Sequence, residues 1–317
     1  MSKTKQTAPD PWLGFQRVII GVADLDTALD LWVEEMGFDV LARIDGIDHG
    51  LDEMWGLTDN RVAAQALVRT PGQSRGALHL VQFQKPTATV REDANAFDLC
   101  PKNLDVHAKN IADRVHRLRR AGYEFRGDEP VSSTAPDGTK FAEMHMMAHD
   151  DINVVLLEIA DHEMPFSTHG FAGISPLISV VPDAEEEKAF YKDILGLTCQ
   201  SDNYLDGPDI ERMIGLPKGT GLDVSIWGDK DALMGALEIV SYRGVDGANL
   251  YPQAMPPARG VLRVGLRTPD IGAWRKHLTA KGIEFENHTD LELRIARTDA
   301  VSFPTPAGLM IEIHQFS

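Results

Sequence analysis

The sequence predicts an α+β protein made of four modules, each with the order strand, helix and three strands (βαβββ). Two similar tracts carry this prediction: GALHLVQF at residues 76–83 and GALEIVSY at residues 235–242 align without a gap, at an offset of 159 residues (235 − 76). The landmarks of the first helix recur at that offset, as an aspartate before the helix and a glycine after it: Asp24 and Gly37, then Asp183 and Gly196. Repetition at a fixed offset indicates a fold built from copied supersecondary units.

The first half of the chain reads as two such modules. The first is predicted as a strand at 17–22, a helix with Ala28, Leu31, Trp32 and Met36 at helical spacing, and strands at 38–44, 63–70 and 76–83. The second is predicted as a short strand at 97–100, a helix with Ile111, Val115 and Leu118 on one face, and strands at 123–125, 142–147 and 154–159. Glycine follows each helix, which suits the left-handed backbone that commonly ends a helix.

The second half repeats the order. The third module is predicted as a strand at 177–181, a helix at 189–195 and a closing strand at 235–242. The fourth is predicted as a strand at 261–266, a helix that Asp270 caps, and a last strand at 309–313.

These patterns divide the chain into domains. We predict a loose N-terminal arm (1–12), an N-terminal domain (13–162, modules 14–85 and 95–162), a linker (163–175) and a C-terminal domain (176–317, modules 176–244 and 259–316). The linker prediction depends on its content of His, Pro, Gly and Ser.

Composition bounds the function. Lys and Arg number 31 against 48 Asp and Glu, a formal charge of −17, which disfavours nucleic acid and anionic membrane as partners. Two cysteines without a CxxC motif form no disulfide framework. The N-terminus has no apolar signal segment, and no apolar run approaches the ~18 residues of a membrane span. A cytoplasmic protein is expected.

Modules that open with a strand, continue with Val-Ala-Asp-Leu (22–25) or Val-Pro-Asp-Ala (181–184) and enter a helix ending in glycine resemble the vicinal oxygen chelate superfamily. This superfamily includes glyoxalase I, extradiol ring-cleaving dioxygenases, methylmalonyl-CoA epimerase and bleomycin- and fosfomycin-resistance proteins. The resemblance covers roughly residues 14–316. It implies two tandem glyoxalase/dioxygenase-like domains whose strands curl into cup-shaped mixed β-sheets.

The resemblance also implies where inward-facing groups lie. Metal-dependent members place His on the first strand of a module, seven residues before the capping Asp, and Glu on the last strand. Here the first-strand positions hold Arg17, Asp98, Pro176 and Arg263, and the last-strand positions hold His79, Glu158, Glu238 and Glu312. The C-terminal half therefore lacks the two His and one Glu with which extradiol dioxygenases hold iron.

The first candidate site consists of Arg17, His79, Asp98 and Glu158. An imidazole and two carboxylates are donors that could hold a divalent metal (Fe, Zn, Mn, Ni or Mg), so we predict His79, Asp98 and Glu158 as metal ligands. Glu158 and Arg17 are predicted to act in catalysis, with a carboxylate as base. The alternative is a buried ion-pair network around Arg17 that needs no metal.

The second candidate site contains Arg263 and Glu312, with Glu238 and His314 beside them. Arg263 is predicted to clamp a substrate carboxylate or enolate, and Glu312 to move a proton. The alternative is a salt bridge lining an empty cup, with His314 solvated near the chain end. Glu143 and His145 share one strand face, but a strand rich in Met and His is more typical of core, so no metal is assigned there.

The predicted function is an enzyme acting on a small oxygenated organic molecule by proton abstraction, isomerisation or elimination next to a polarised oxygen. Two alternatives stay open: an extradiol-type dioxygenase with an unusual metal site, and a metal-free protein that binds a small molecule. The expected partner is a small-molecule substrate, and the chain is expected to be a monomer or a homodimer.

Overall fold

The computed structural model describes residues 16–85, 87–135, 138–162, 164–229 and 234–317, so the predicted arm at 1–12 lies outside the described residues. Module 1 consists of β1 (Arg17–Val22), α1 (Leu25–Leu29), β2 (Asp39–Asp45), α2 (His49–Met54), β3 (Val62–Arg69) and β4 (Ala77–Phe83). Module 2 consists of β5 (Pro101–Ala108), α3 (Ile111–Arg120), β6 (Glu124–Phe125), β7 (Val131–Thr134), β8 (Lys140–Met147) and β9 (Asn153–Ile159).

A two-residue strand, β10 (Phe171–Ala172), precedes the second half. Module 3 consists of β11 (Leu177–Val180), α4 (Ala184–Asp193), β12 (Thr198–Leu205), α5 (Pro208–Ile214), β13 (Gly221–Gly228) and β14 (Leu237–Arg243). Module 4 consists of β15 (Gly260–Arg267), α6 (Ile271–Lys281), β16 (Glu286–Glu292), β17 (Arg297–Pro304) and β18 (Met310–Phe316). The predicted α+β fold of four βαβββ modules is confirmed.

The modules pair across the chain rather than along it. One sheet has the strand order β16-β17-β18-β15-β1-β4-β3-β2 and joins modules 4 and 1; the other runs β12-β13-β14-β11-β5-β9-β8-β6 and joins modules 3 and 2. Within each module the first and last strands are parallel, and the first strands of paired modules are antiparallel. We call the concave face of the first sheet cup 1 and that of the second sheet cup 2.

This pairing corrects one expectation. The predicted N-terminal domain (13–162) and C-terminal domain (176–317) each contribute one module to each sheet. The first predicted site combines residues of modules 1 and 2, and the second combines residues of modules 3 and 4. The sheets instead bring together residues of modules 1 and 4 in cup 1 and of modules 2 and 3 in cup 2. The division at 163–175 stays a prediction about the chain, but the sheets do not follow it.

The largest apolar core joins the two sheets. It includes Trp32 after α1, Phe171 in β10, Tyr191 in α4 and Trp274 in α6, all nearly inaccessible to solvent. A second apolar cluster lies in cup 1 around Leu51 and Trp55, and a third lies in cup 2. Both cups are therefore set in a continuous body of packed residues, which holds inward-facing groups in place.

The last strand of three modules caps the first helix of the same module. Gln82 Oε1 accepts from Leu25 N, and Gln315 Oε1 accepts from Ile271 N, each at 2.8 Å. Glu158 takes the same place in module 2, where its two oxygens accept from Asn110 N at 2.8 Å and from Ile111 N at 3.1 Å. These bonds satisfy amide groups that a helix start leaves without partners.

This capping role gives a prediction for Glu158. Truncating it with Glu158→Ala should lower the free energy of unfolding by about 1 kcal/mol, the usual cost of a lost helix cap. Urea unfolding measures the change, and Gln82→Ala is the matched control in module 1. An unaltered unfolding curve combined with lost activity would instead support the predicted catalytic role of Glu158.

Candidate functional site

The sheet register defines four inward positions in each cup. In cup 1 these are Arg17 on β1, His79 on β4, Arg263 on β15 and Glu312 on β18, because β1 pairs with both β4 and β15, and β15 with β18. The predicted proximity of Arg263 and Glu312 is confirmed: Arg263 Nη1 lies 3.2 Å from Glu312 Oε1. Arg17 and His79 join this pair, although they had been placed in a different site.

Glu312 is the centre of the cup 1 network. Its carboxylate accepts from Trp55 Nε1 at 2.8 Å, and Arg17 Nη2 lies 3.9 Å from its other oxygen. His314 is inaccessible to solvent, not solvated as the alternative expectation had it, and its Nε2 lies 3.1 Å from Glu312 Oε2. Burial alone would raise the pKa of Glu312, but the bond to His314 and the charges of Arg263 and Arg17 hold that pKa well below its usual value.

The histidines of cup 1 are neutral at physiological pH. Burial, with the nearby charge of Arg17, lowers the pKa of His79 to about 3 and that of His314 to about 4. His79 Nε2 lies 2.7 Å from Gln65 Oε1. Two guanidinium groups, one carboxylate and two neutral imidazoles therefore face each other in a buried set.

Helix α2 closes cup 1. It packs so tightly against β16 that a Cβ on Gly50 would lie 2.6 Å from the carbonyl oxygen of Glu292. The Asp48 carboxylate, fully buried, seals the contact by accepting from Leu51 N, Gln65 Nε2 and Arg294 N. The ion network of cup 1 is thus enclosed by protein.

The predicted metal ligands are separated, which corrects that grouping. His79 lies in cup 1, whereas Asp98 lies before β5 and accepts from Asn95 N and Ala248 N, at 2.6 and 2.8 Å. Glu158 caps α3. The first-strand prediction for Asp98 requires Asp105, seven residues later, to cap the helix of module 2. Asp105 instead lies inside β5, and α3 starts at Ile111.

The corrected register gives the four positions of cup 2. Counting seven residues back from Asn110, the residue before α3, gives Asn103, and the same count from Asp183 gives Pro176. As in cup 1, the last-strand position pairs with the residue two places further along the first strand, which gives Val155 opposite Asp105 and Glu238 opposite Ile178. Relative to cup 1, proline and asparagine replace two arginines, and valine replaces Glu312. Ile214 also stands where Trp55 stands in module 1, at the same offset of 159 (214 − 55). Smaller side chains leave space in cup 2.

Cup 2 holds a cavity of about 260 Å³. Most of its lining is apolar, supplied by inward residues of the strands and by α5: Phe141, Leu157, Ile159, Ile178, Leu205, Met213, Ile214, Leu222, Val224, Ile226 and Val240. A wider depression of about 1040 Å³ shares Phe141, Leu157 and Ile159 with it and gives a neighbouring opening. A mostly apolar cavity with a few convergent polar groups is typical of a small-molecule site.

One amine and three carboxyl groups face this cavity: Lys102 and Asp105 on β5, Glu143 on β8 and Glu238 on β14. The β5–β11 pairing shifts at Lys102, which is an extra residue between two paired ones, so Lys102 and Asn103 both line the cavity. Asp105 is 7% exposed, and among the described residues its Oδ1 has no hydrogen-bond partner.

Burial shifts the pKa of each of these four groups. Burial raises the pKa of Glu143 to about 7, and burial with the neighbouring Glu143 raises that of Glu238 to about 8. Burial and the two glutamates raise the pKa of Asp105 well above its ordinary value. Burial, with repulsion from Arg91, lowers the pKa of Lys102 to about 7. Groups tuned this way exchange protons near neutral pH.

A neutral polar chain lies beside them. Asn153 Nδ2 donates to Asn103 Oδ1 at 2.8 Å and lies 3.1 Å from His145 Nδ1. Burial lowers the pKa of His145 to about 3, so its imidazole is uncharged. His145 also lines the cup 2 cavity.

Neither cup fits the metal that the resemblance implies. Cup 1 offers one carboxylate against two guanidinium groups, which repel a cation, and cup 2 offers a single ligand-type residue, Glu238, at the four positions. Across the part of the chain that the structure describes, no group of three or more His, Cys, Asp or Glu side chains is arranged to hold a metal ion. The four inward positions of each cup are therefore unsuited to a divalent metal ion.

The shifted pKa of Glu143 predicts how stability depends on pH. The folded protein binds this proton more tightly than the unfolded chain, so its stabilising effect is full below the unfolded-state pKa of about 4.3 and is lost as pH rises through about 7. Glu143→Gln should stabilise the protein at pH 8.5 by about 3 to 4 kcal/mol, since the folded-state pKa of about 7 and the unfolded-state pKa of about 4.3 differ by that energy at ~1.36 kcal/mol per pKa unit, and by much less at pH 5. Denaturant unfolding at both values tests this, with exposed Glu124→Gln as control; an equal effect at both pH values would contradict it.

Four βαβββ modules that pair into two sheets, each with a few polar side chains on its concave face, define a class of proteins with cup-shaped sheets. Residues 173–313 match the model of the Glyoxalase/Bleomycin resistance protein/Dioxygenase superfamily. By this match and by its fold, the chain's resemblance to the vicinal oxygen chelate superfamily is confirmed.

Solved structures extend the fold likeness to nearly the whole chain. Glyoxalase I from Zea mays has a TM-score of 0.63 at 15% identity, over 96% of this chain and 92% of that one. A putative dioxygenase from Bacillus subtilis has a TM-score of 0.65 at 11% identity, over 99% and 86%. No curated protein matches this chain by sequence. Among the described residues, no helix is both long and apolar enough to cross a membrane.

Proposed function

We propose that the protein is an enzyme that binds a small oxygenated organic molecule in cup 2 and moves a proton next to a polarised oxygen, as in isomerisation or elimination. The observation that carries this proposal is the meeting of three carboxyl groups and one lysine in a cavity whose burial raises the pKa of each carboxyl group and lowers that of the lysine. Cup 1, by contrast, is enclosed, and both of its guanidinium groups lie beside the single carboxylate of Glu312.

Each group has a proposed role. Glu238, whose pKa of about 8 makes its carboxylate a stronger base than an ordinary glutamate, accepts the proton from carbon. Lys102 polarises the adjacent oxygen, because its amine projects into the cavity beside Tyr242. Asp105, whose pKa is raised by burial and by the neighbouring glutamates, returns a proton to the intermediate. The apolar lining excludes water and strengthens these interactions.

The proposal is tested by solvent hydrogen exchange. Hydroxyacetone, acetoin and 2-hydroxyacetophenone are incubated with the protein in D₂O, and loss of the α-proton signal is followed by ¹H NMR. Acceleration by the wild type that depends on Glu238 supports acid–base catalysis in cup 2. Tight binding of these ligands without any acceleration would instead support the alternative of a metal-free binding protein.

A further inference from the structure

The Lys102 amine occupies an unusual place in the fold. The residue is 2% exposed, and its Nζ donates to Tyr242 Oη at 3.0 Å. Among the described residues, it has no other hydrogen-bond partner and no carboxylate oxygen within 4.0 Å. An ammonium has three N–H donors, and burying it with a single partner is costly. The arrangement therefore favours an uncharged amine, which is nucleophilic, over an ammonium.

The surroundings suit condensation with a carbonyl compound. Asp105 and Glu238 lie close enough to Lys102 for a charge on its amine to lower their pKa values. Burial and the neighbouring carboxyl groups outweigh that effect, so the pKa of Asp105 is raised and that of Glu238 reaches about 8. The other charged or titratable groups facing the amine are Arg91, Cys100, Arg126, Tyr242 and His145. The apolar lining favours the loss of water from an addition product. A desolvated lysine in an apolar pocket is a recognised form of activated nucleophile.

We propose that Lys102 forms a Schiff base with an aldehyde or ketone bound in cup 2. This inference rests on the proposed function and specifies how the oxygen next to the reacting carbon is activated. The polarisation would be covalent, and the ligand would be an uncharged, largely apolar carbonyl compound that fits about 260 Å³.

The step balances without an oxidant or reductant. The lone pair of Nζ forms a bond to the carbonyl carbon, and the carbonyl oxygen takes a proton from a carboxyl group, which gives a carbinolamine. The nitrogen loses a proton to a carboxylate. The hydroxyl then leaves as water with a proton from a carboxyl group, which gives an imine that carries a positive charge when protonated. That charge acidifies the neighbouring C–H for removal by Glu238.

Reductive trapping tests the inference in the intact wild-type protein. The chain is incubated at pH 7 with cyclohexanone or 2-hydroxyacetophenone and sodium cyanoborohydride, and each lysine is quantified by peptide mass spectrometry. Lys109, exposed at the end of the same strand, is the internal reference. We expect at least about tenfold more adduct on Lys102, because at pH 7 an amine of pKa about 7 is about half neutral, whereas an ordinary lysine is more than ~99% charged.

The pH dependence of labelling and a Lys102→Arg variant test the Schiff base further. Labelling of Lys102 should reach half its maximum near pH 7, while labelling of Lys109 should keep rising above pH 9. Lys102→Arg should abolish the cup 2 adduct and leave that on Lys109 unchanged. Adduct on Lys102 no greater than on Lys109 would overturn the Schiff base, even if exchange still depended on Glu238. Strong Lys102 adduct without Glu238-dependent exchange would overturn the proposed function while supporting the amine chemistry.

Discussion

Glu312→Ala is expected to lower the free energy of unfolding by about 3 to 5 kcal/mol, the usual cost of removing one partner from a buried ion pair. The carboxylate is inaccessible to solvent and accepts hydrogen bonds from Trp55 Nε1 and Arg263 Nη1. Arg17 Nη2 lies 3.9 Å from it. Without it, two guanidinium groups remain buried without a counter-charge. Chemical denaturation of the purified variant measures the loss.

Matched variants separate this effect from a general loss of packing. Glu292→Ala removes an exposed ion pair with Arg297 and should change stability by less than about 1 kcal/mol. A triple variant, Arg17→Met, Arg263→Met and Glu312→Leu, removes every charge together and should recover much of the stability. A loss below about 1 kcal/mol for Glu312→Ala would contradict a structural network. Lost activity in a fully stable variant would instead favour the predicted catalytic role of Glu312.

The module order was predictable because it is a local property of the chain. Strand patterns, capping aspartates and helix-ending glycines each span a few residues, and their recurrence 159 residues apart revealed the copies. Which modules share a sheet is not local. It depends on contacts such as Ile19 with Arg263, more than 200 residues apart, and no single stretch of sequence encodes them.

The site was predicted only in part, for two physical reasons. Asp105 resembles a helix cap, but β5 continues through it to Ala108, and Glu158 caps α3 from another strand. The residue before Ile111 makes no capping hydrogen bond with its own side chain, because Glu158 on β9 accepts from the first amide groups of the helix instead. Lys102 carried no signal, because only the irregular pairing between β5 and β11 turns it into the cup.

One sequence signal did point to cup 2. The exchange of His79 for Glu238 between the copies marked a position whose chemistry differs, and the structure places these residues in different cups. A closer comparison of the copies would also have set Trp55 against Ile214 and Arg17 against Pro176. Those pairs exchange large or charged side chains for small apolar ones. The difference between a filled cup and an open one is therefore readable from the aligned halves once the pairing of modules is known.

Glu238→Gln is expected to lower the rate of hydrogen exchange about 10²- to 10⁴-fold, the range typical of a lost general base. Glutamine keeps the shape of the side chain but cannot accept the proton at physiological pH. The wild-type rate should rise with pH as Glu238 loses its proton around pH 8, and the variant should lack that limb. Because Glu238 titrates together with Asp105 and Glu143, the midpoint of this rise in rate gives an apparent pKa of the three carboxyl groups together.

Glu187→Gln is the matched control for this experiment. Glu187 is fully buried on α4, burial raises its pKa to about 7, and it accepts from Ala307 N at 3.0 Å, but it does not line the cup 2 cavity. Its variant should exchange substrate at the wild-type rate. Equal losses in both variants would indicate a general effect of removing a buried carboxyl. Exchange in Glu238→Gln at the wild-type rate would contradict the assignment of the base, because the remaining carboxyl groups of cup 2 would then suffice.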